Sequence, residues 1–429
     1  MKVSRGLAAL AAAAVVGALL PAVASDAAVP TCQGHRATIV GHPDPNGSLQ
    51  GTPGDDVIVT RGVGEVRSGS GSDRICVTGT NSEGYHYIDA GPGDDRVVVA
   101  TSRPDRVSGV LGAGDDVFRG GPGVDFVYGE AWTTGDVEGR DRIDTGAGAD
   151  QVRIGLAGAT TRDLVDLGPG DDRLGVSGLL APDVRPTGRG GSDIMQITPE
   201  LPGHDWVIDN RLGAASVDGV REGRWAGFER FDLTWLDAAT LDFIGGAADE
   251  SVLTSTVLRA ATMGGGDDSL WMSGLPDDHL VDVSGGPGRD AFGAEAYRMV
   301  AIDLRIGAWG SGGSASDLDV RLNGIEEAEA VSTTVRLDGD AGDNVLEAHG
   351  CDVVARGGAG ADLVRRTGAS ATLCDGDVPG VTFHGGPGPD VLVGGAGADQ
   401  LFGDRGRDRA DGRRGADLCL AEITHSCER

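Results

Sequence analysis

The stretch GGPGPDVLV GGAGADQLF GDRGRDRAD GRRGADLCL, four abutting nonapeptides from Gly385 to Leu420, leaves a chain few folds to choose from. Each unit has Gly at its first and fourth positions and Asp at its sixth. Glycines at positions one, two and four let the backbone take φ > 0 and turn sharply with its carbonyls to one side. The Asp ends the turn and adds a carboxylate. Positions seven to nine form a short strand, with the apolar eighth residue (Leu392, Leu401) pointing inward. Two units make one coil, so turns 18 residues apart stack at about 4.8 Å. A Gly-rich disordered tail is the bland reading, and the strand segments Val391-Leu392-Val393 and Gln400-Leu401-Phe402 argue against it. Ala410 and Cys419 replace the large apolar residue, so the coil is expected to taper there.

This unit resembles the G-G-x-G-x-D-x-U-x repeat of calcium-binding RTX proteins. The resemblance implies an all-β fold, a parallel β-roll or β-helix solenoid, with Ca2+ as its cofactor. In that family calcium sits between stacked turns, which pairs Asp390 with Asp408 and Asp399 with Asp417. The turn glycines are then Gly385, Gly386 and Gly388, Gly394, Gly395 and Gly397, Gly403 and Gly406, and Gly412 and Gly415. Calcium takes six to eight oxygens at about 2.3–2.6 Å, so two turns have to share each ion. Related units place further expected ligands at Asp56, Asp73, Asp95, Asp116, Asp125, Asp150, Asp172, Asp193, Asp268, Asp290 and Asp362.

The spacing of these aspartates carries information. From Asp73 through Asp95 to Asp116 the steps are 22 and 21 residues, and they are again 22 and 21 from Asp150 through Asp172 to Asp193. One metal-type turn per coil follows, with the calcium ladder running along one edge. The doubled aspartates Asp94, Asp115 and Asp171 either add an oxygen or serve solvation. From about Pro199 the units thin out and a longer repeat appears: VIDNRLG at Val207–Gly213 recurs as AIDLRIG at Ala301–Gly307, and Asp268 recurs as Asp362, 94 residues on. The coil is expected to continue through it, in preference to a separate globular insertion. Asn344 and Ala248 break the ligand pattern at their turns.

Residues 1–24 read as a signal peptide: Lys2 and Arg5, an apolar run from Leu7 to Leu20, then Ala22-Val23-Ala24. The rest divides into a cap segment (25–50), an RTX-like solenoid (51–198), a degenerate solenoid (199–348), a β-roll with the tandem units (349–420) and a terminal cap (421–429). Loss of Lys2 and Arg5 takes the formal charge from −30 to −32 and removes the only lysine. Such a chain repels itself without bound cations and makes a poor partner for nucleic acid. No transmembrane anchor is expected. Six cysteines in an exported chain imply up to three disulfides. Cys351 and Cys374, 23 residues apart, would stack on adjacent coils, Cys419 and Cys427 would pin the last coil, and Cys32 would reach Cys76 from a cap that folds back.

No catalytic constellation stands out. There is no HExxH and no G-x-S-x-G, and the aspartates are each accounted for by a turn. His349, near Cys351, reads as a surface turn residue. The enzyme alternative is a β-helix polysaccharide lyase, epimerase or glycosidase, for which Arg211 and Arg305 are the candidates. A calcium-stiffened adhesin facing an extracellular glycan or cell surface is the third class. The leading expectation is a secreted calcium-binding repeat protein.

Overall fold

A computed structural model of the chain describes residues 29–428 except 42–46, 81, 102, 131–138, 200, 275–279, 298, 311–318, 369–373 and 375–378. The expected signal peptide lies outside the described residues. Those residues form an all-β, parallel solenoid and no helix.

Each coil lays one strand on each of two faces. One face is a single 18-stranded sheet that runs from Ser48–Gln50 to Ile423–His425, here called the long sheet. The opposite face begins as a seven-stranded sheet from Ile39–Val40 to Leu164–Asp166 and ends as a 14-stranded sheet from Asp205–Asp209 to Leu418–Leu420. Parallel register keeps equivalent side chains in rows. Ile58, Ile75, Val97, Phe118, Ile143 and Val165 stack across the seven-stranded face. Val127, Val152, Leu174, Met195 and Phe231 do so across the long sheet.

The inward rows merge into one core that extends from Ile58 to Ala410, including Leu392 and Leu401 as expected. Burying each such side chain contributes about 1.5–3 kcal/mol, an upper estimate, because the unfolded chain already hides part of it. Volumes compensate across the core. Gly109 takes an inward slot of the long sheet against the ring of Phe118, the space that a side chain at 109 would need.

The coil continues through the duplicated region, with one departure from the sequence-based expectation. In each copy the chain reverses twice. Asp205–Asp209, Ala214–Val217 and Val220–Arg224 pair antiparallel in succession. In the second copy Met299–Asp303, Ala308–Gly310 and Val320–Asn323 do the same, and Val320–Asn323 then rejoins the parallel sheet beside Val281–Ser284. Period-two alternation looks the same in parallel and antiparallel strands, so the reversal was not legible from it.

All three disulfides join the expected cysteines. Cys32, on a two-stranded hairpin with His35–Arg36, reaches Cys76 with Cα atoms 5.6 Å apart. Cys351–Cys374 and Cys419–Cys427 span 5.4 and 5.9 Å.

Candidate calcium-binding turns

Each sixth-position Asp immediately precedes or opens a strand, so parallel stacking brings the aspartates of successive coils into a file. A common hydrogen bond runs along it. The backbone N–H of one Asp donates to Oδ1 of the Asp one coil later. Asp362 N donates to Asp390 Oδ1 at 2.9 Å, and Asp390 N to Asp408 Oδ1 at 3.0 Å. Asp399 N donates to Asp417 Oδ1 at 2.9 Å, so the turns 18 residues apart do stack. Asp56, Asp73, Asp95 and Asp116 are linked in the same way, as are Asp125, Asp150, Asp172 and Asp193, and Asp268 with Asp290.

The file does not keep to one edge. Asp56 to Asp116 precede strands of the seven-stranded face, Asp125 and most later aspartates precede or open strands of the long sheet, and Asp399 and Asp417 precede strands of the 14-stranded face. Steps of 21 or 22 residues stay on an edge, and the nine-residue step from Asp116 to Asp125 crosses half a coil. The first file continues beyond the sequence-based set, through Asp141 and Asp163.

The second carboxylate oxygen is where the chemistry lies. Oδ2 of Asp73, Asp95, Asp116, Asp150, Asp172, Asp268, Asp290, Asp362, Asp390, Asp408 and Asp417 is buried with no hydrogen-bond partner. At Asp125 the orphan is Oδ1. Burial raises the pKa of Asp95 and Asp125 to about 8, of Asp116 and Asp172 to about 7, and of Asp150, Asp193 and Asp390 to about 6. In most of these, bonds from the preceding coil's N–H oppose the rise, and neighbouring carboxylates add to it. Buried, unpaired carboxylates are costly, and a cation relieves them.

The glycine at position one shows where the oxygens converge. A Cβ at Gly385 would lie 2.4 Å from Asp390 Oδ2 and 2.8 Å from the carbonyl oxygen of Gly403. At Gly394 the same point meets Asp399 Oδ2 at 2.2 Å and Gly412 O at 3.1 Å, and at Gly412 it meets Asp417 Oδ2 at 2.4 Å. A side chain there would fill the cradle. The sequence reading credited these glycines with left-handed backbone, but Gly385, Gly394, Gly403 and Gly412 are not left-handed and are needed for space. The left-handed positions are the second and fourth: Gly386, Gly388, Gly406 and Gly415, and also Asp404 and Arg413, which stand where a glycine is usual. Gly395 and Gly397 depart from this, and Gly395 instead makes room for the stem of Arg366.

Among the described residues no group of three or more His, Cys, Asp or Glu side chains is placed to hold a metal. An ion at these turns would draw on one or two carboxylates and on backbone carbonyls such as that of Gly403 beside Asp390 Oδ2. That is an all-oxygen donor set of the kind calcium accepts, with no soft ligand.

The fifth position makes a second file of opposite sense, which answers the question of the doubled aspartates. Asp94 Oδ1 accepts the N–H of Asp115 in the next coil, Asp115 that of Arg140, and Asp171 that of Ser192. These exposed side chains tie each coil forward, while the buried sixth-position side chains tie it back.

Sequence reasoning missed the residues that stand in for aspartate. Glu229, Glu326 and Glu422 accept from the N–H of Asp193, Asp290 and Asp408 at 3.0, 2.9 and 2.8 Å. Glu229 and Glu326 close the two coils that carry the chain reversals, where one more methylene spans the displaced backbone. Arg366, almost wholly buried, donates to the carbonyls of Gly350, Gly368 and Pro379 near Asp399, a built-in cation at the head of the Asp399–Asp417 pair. Asp56 and Asp163, at the ends of the first file, have their second oxygen taken by Thr52 and Thr161 hydroxyls.

Arg211 and Arg305 are committed elsewhere, each forming a two-pronged pair with its own turn aspartate, Asp209 and Asp303. His349 is not in a turn: it ends the strand Val345–His349, with its ring against Gly368.

The family profile described as the RTX calcium-binding nonapeptide repeat matches in four copies, at residues 110–131, 138–155, 336–364 and 384–419. The chain carries RTX calcium-binding repeats. Comparison with curated proteins gives no match. The aspartate files extend well past the matched stretches, back to Asp56 and through Asp268 and Asp290.

Proposed function

We propose that the chain is a secreted calcium-ion-binding protein whose Gly-Asp turns couple calcium uptake to folding outside the cell. The observation that carries this reading is the file of buried carboxylate oxygens without partners. Bound calcium would supply two positive charges and hard-oxygen coordination to those turns. Asp390 with Asp408, and Asp399 with Asp417, would hold ions together with the carbonyls above their position-one glycines. Asp362, Asp290, Asp268, Asp193, Asp172, Asp150, Asp125, Asp116, Asp95 and Asp73 would do the same, one turn per coil. Asp56, satisfied by threonines, and Asp399, whose two oxygens accept the N–H groups of Val381 and Gly395, are the weakest of the expected ligands.

Without a cation, the aspartates repel one another through the file and the chain stays loose, which suits export from a low-calcium compartment. The disulfides fit an oxidising destination, as does the signal-like sequence at residues 1–24. Among the described residues no helix is long and apolar enough to cross a membrane. The sugar-processing alternative loses its named candidates, since Arg211 and Arg305 are tied within their own turns.

The test is far-UV circular dichroism of the disulfide-bonded protein, titrated with calcium from a chelator-treated start. A cooperative gain of β signal that magnesium does not reproduce is expected. Full β signal in chelator would defeat the coupling of calcium to folding.

A further inference from the structure

The outer face of the long sheet changes character beside the second chain reversal. Ala291–Glu295 and Glu327–Val331 are direct neighbours in the long sheet. On the opposite face, two extra strands, Ala308–Gly310 and Val320–Asn323, intervene between Val281–Ser284 and Met299–Asp303. One face thus gains about 10 Å of width that the other lacks. Across this seam the outside of the long sheet is concave and holds a trough of about 300 Å³, at the small end of ligand sites.

One outward row crosses the trough on successive strands: Leu253, Trp271, Gly293, Glu329, Glu347 and, at its rim, Arg365. The indole of Trp271 lies across Gly293, where a Cβ would come within 2.0 Å of its ring. The glycine lets an outward Trp lie flat as a platform. Of the carboxylates, Glu347 pairs with Arg365, and Glu327 with Arg289. Glu329 has no hydrogen-bond or ion-pair partner among the described residues. Burial, with Glu347 alongside, raises its pKa against the smaller opposing pull of Arg365, and so favours either protonation or an incoming cation.

We propose that this trough is a subsite for an amino-bearing sugar of an extracellular glycan, its ring resting against Trp271 and its ammonium group paired with Glu329. Trp and an unpaired carboxylate both favour a cation over a neutral ligand. Uronates are repelled by Glu329 and Glu347. A protein partner fits less well, because the accessible apolar lining is little more than Trp271, Leu253, Ala291 and Val345, with Leu270, Phe292 and Ala328 buried beneath it, and stable protein interfaces bury about 1,200 Å² or more. The strands on this face are paired on both sides, so no edge is open to an added strand.

The test is isothermal titration of the calcium-saturated protein with a fully deacetylated glucosamine tetramer at about 150 mM salt, where long-range attraction to the acidic surface is screened. Cellotetraose and tetragalacturonate serve as the neutral and acidic arms. Binding of the amino sugar is expected, weakened about tenfold by Trp271→Ala or by Glu329→Gln, and unchanged by Glu295→Gln, which removes a charge on the same face. Circular dichroism checks that the variants are folded. Equal binding by all variants, equal binding of cellotetraose, or no binding by the folded parent overturns the proposal. Because calcium is saturating and folding is read separately, failure here leaves the calcium reading intact.

Discussion

Asn344 and Asp390 occupy equivalent turns two coils apart in the same file, joined through Asp362. At Asn344 everything is satisfied: Oδ1 accepts the N–H of Asp340 at 2.8 Å, and Nδ2 donates to the carbonyl of Glu326 at 3.3 Å. At Asp390 the first oxygen is bonded, but the second is buried without a partner and the pKa rises to about 6. Gly339 and Gly385 carry the same oxygen above them in the two turns. The turn shape therefore needs no charge. The carboxylate adds a demand for a cation.

The largest effect should come from removing that cation across the whole file. The folded-state pKa values of about 6 to 8 lie above the ordinary Asp value, so the metal-free fold binds more protons than the unfolded chain. Its stability from these groups is full below about pH 4 and is lost as pH rises through 6 to 8. In chelator, the β signal should be low at pH 8.5 and grow as pH falls towards 5, because protons then neutralise the buried carboxylates in place of the ion. With calcium in excess the trend should flatten or reverse, because protons then compete with the ion. Circular dichroism against pH in both buffers reads this, and the same pH dependence in each would mean that no cation is held by the file.

Next comes a single turn. Asp408→Ala should cost about 1–3 kcal/mol beyond the lost ion, because the buried N–H of Asp390 loses its acceptor. Asp408→Asn keeps an acceptor and should lose only the ion, so in chelator at pH 8 it should show more β signal than the parent. Asp390→Ala and Asp408→Ala should lower calcium stoichiometry by the same one ion, counted by equilibrium dialysis. Unchanged stoichiometry in both would break the pairing.

The smallest effect is the reverse exchange. Asn344→Asp sets a carboxylate oxygen against the carbonyl of Glu326 and, while its own turn is unfilled, should cost about 1 kcal/mol. It should add one calcium ion. Stability lost without a gained ion would mean that the turn lacks the remaining ligands.

Much of this was readable in advance. The nine-residue unit carried the coil, the stacking of Asp390 on Asp408 and the inward Leu392 and Leu401, and cysteine spacing carried the disulfides. Asp141 and Asp163 escaped because GRDRID and TTRDLVD lack most of the glycine pattern, although backbone stacking, not glycine, is what places them. The glutamates escaped because a motif tied to aspartate has no place for a longer arm. Arg366 was hidden for a different reason: its role depends on three carbonyls brought together only by the finished coil.

The two chain reversals leave and rejoin the solenoid at matching points. Asp193 and Asp290 precede them, 97 residues apart, Glu229 and Glu326 close them, and Glu250 and Asn344 resume the file 94 residues apart. A gene segment encoding one such block can be copied or deleted in one event, and the coils on either side still meet in register. Descendants of this gene should therefore differ in length by whole coils or whole blocks, since a partial coil leaves a half-turn that stacks on nothing.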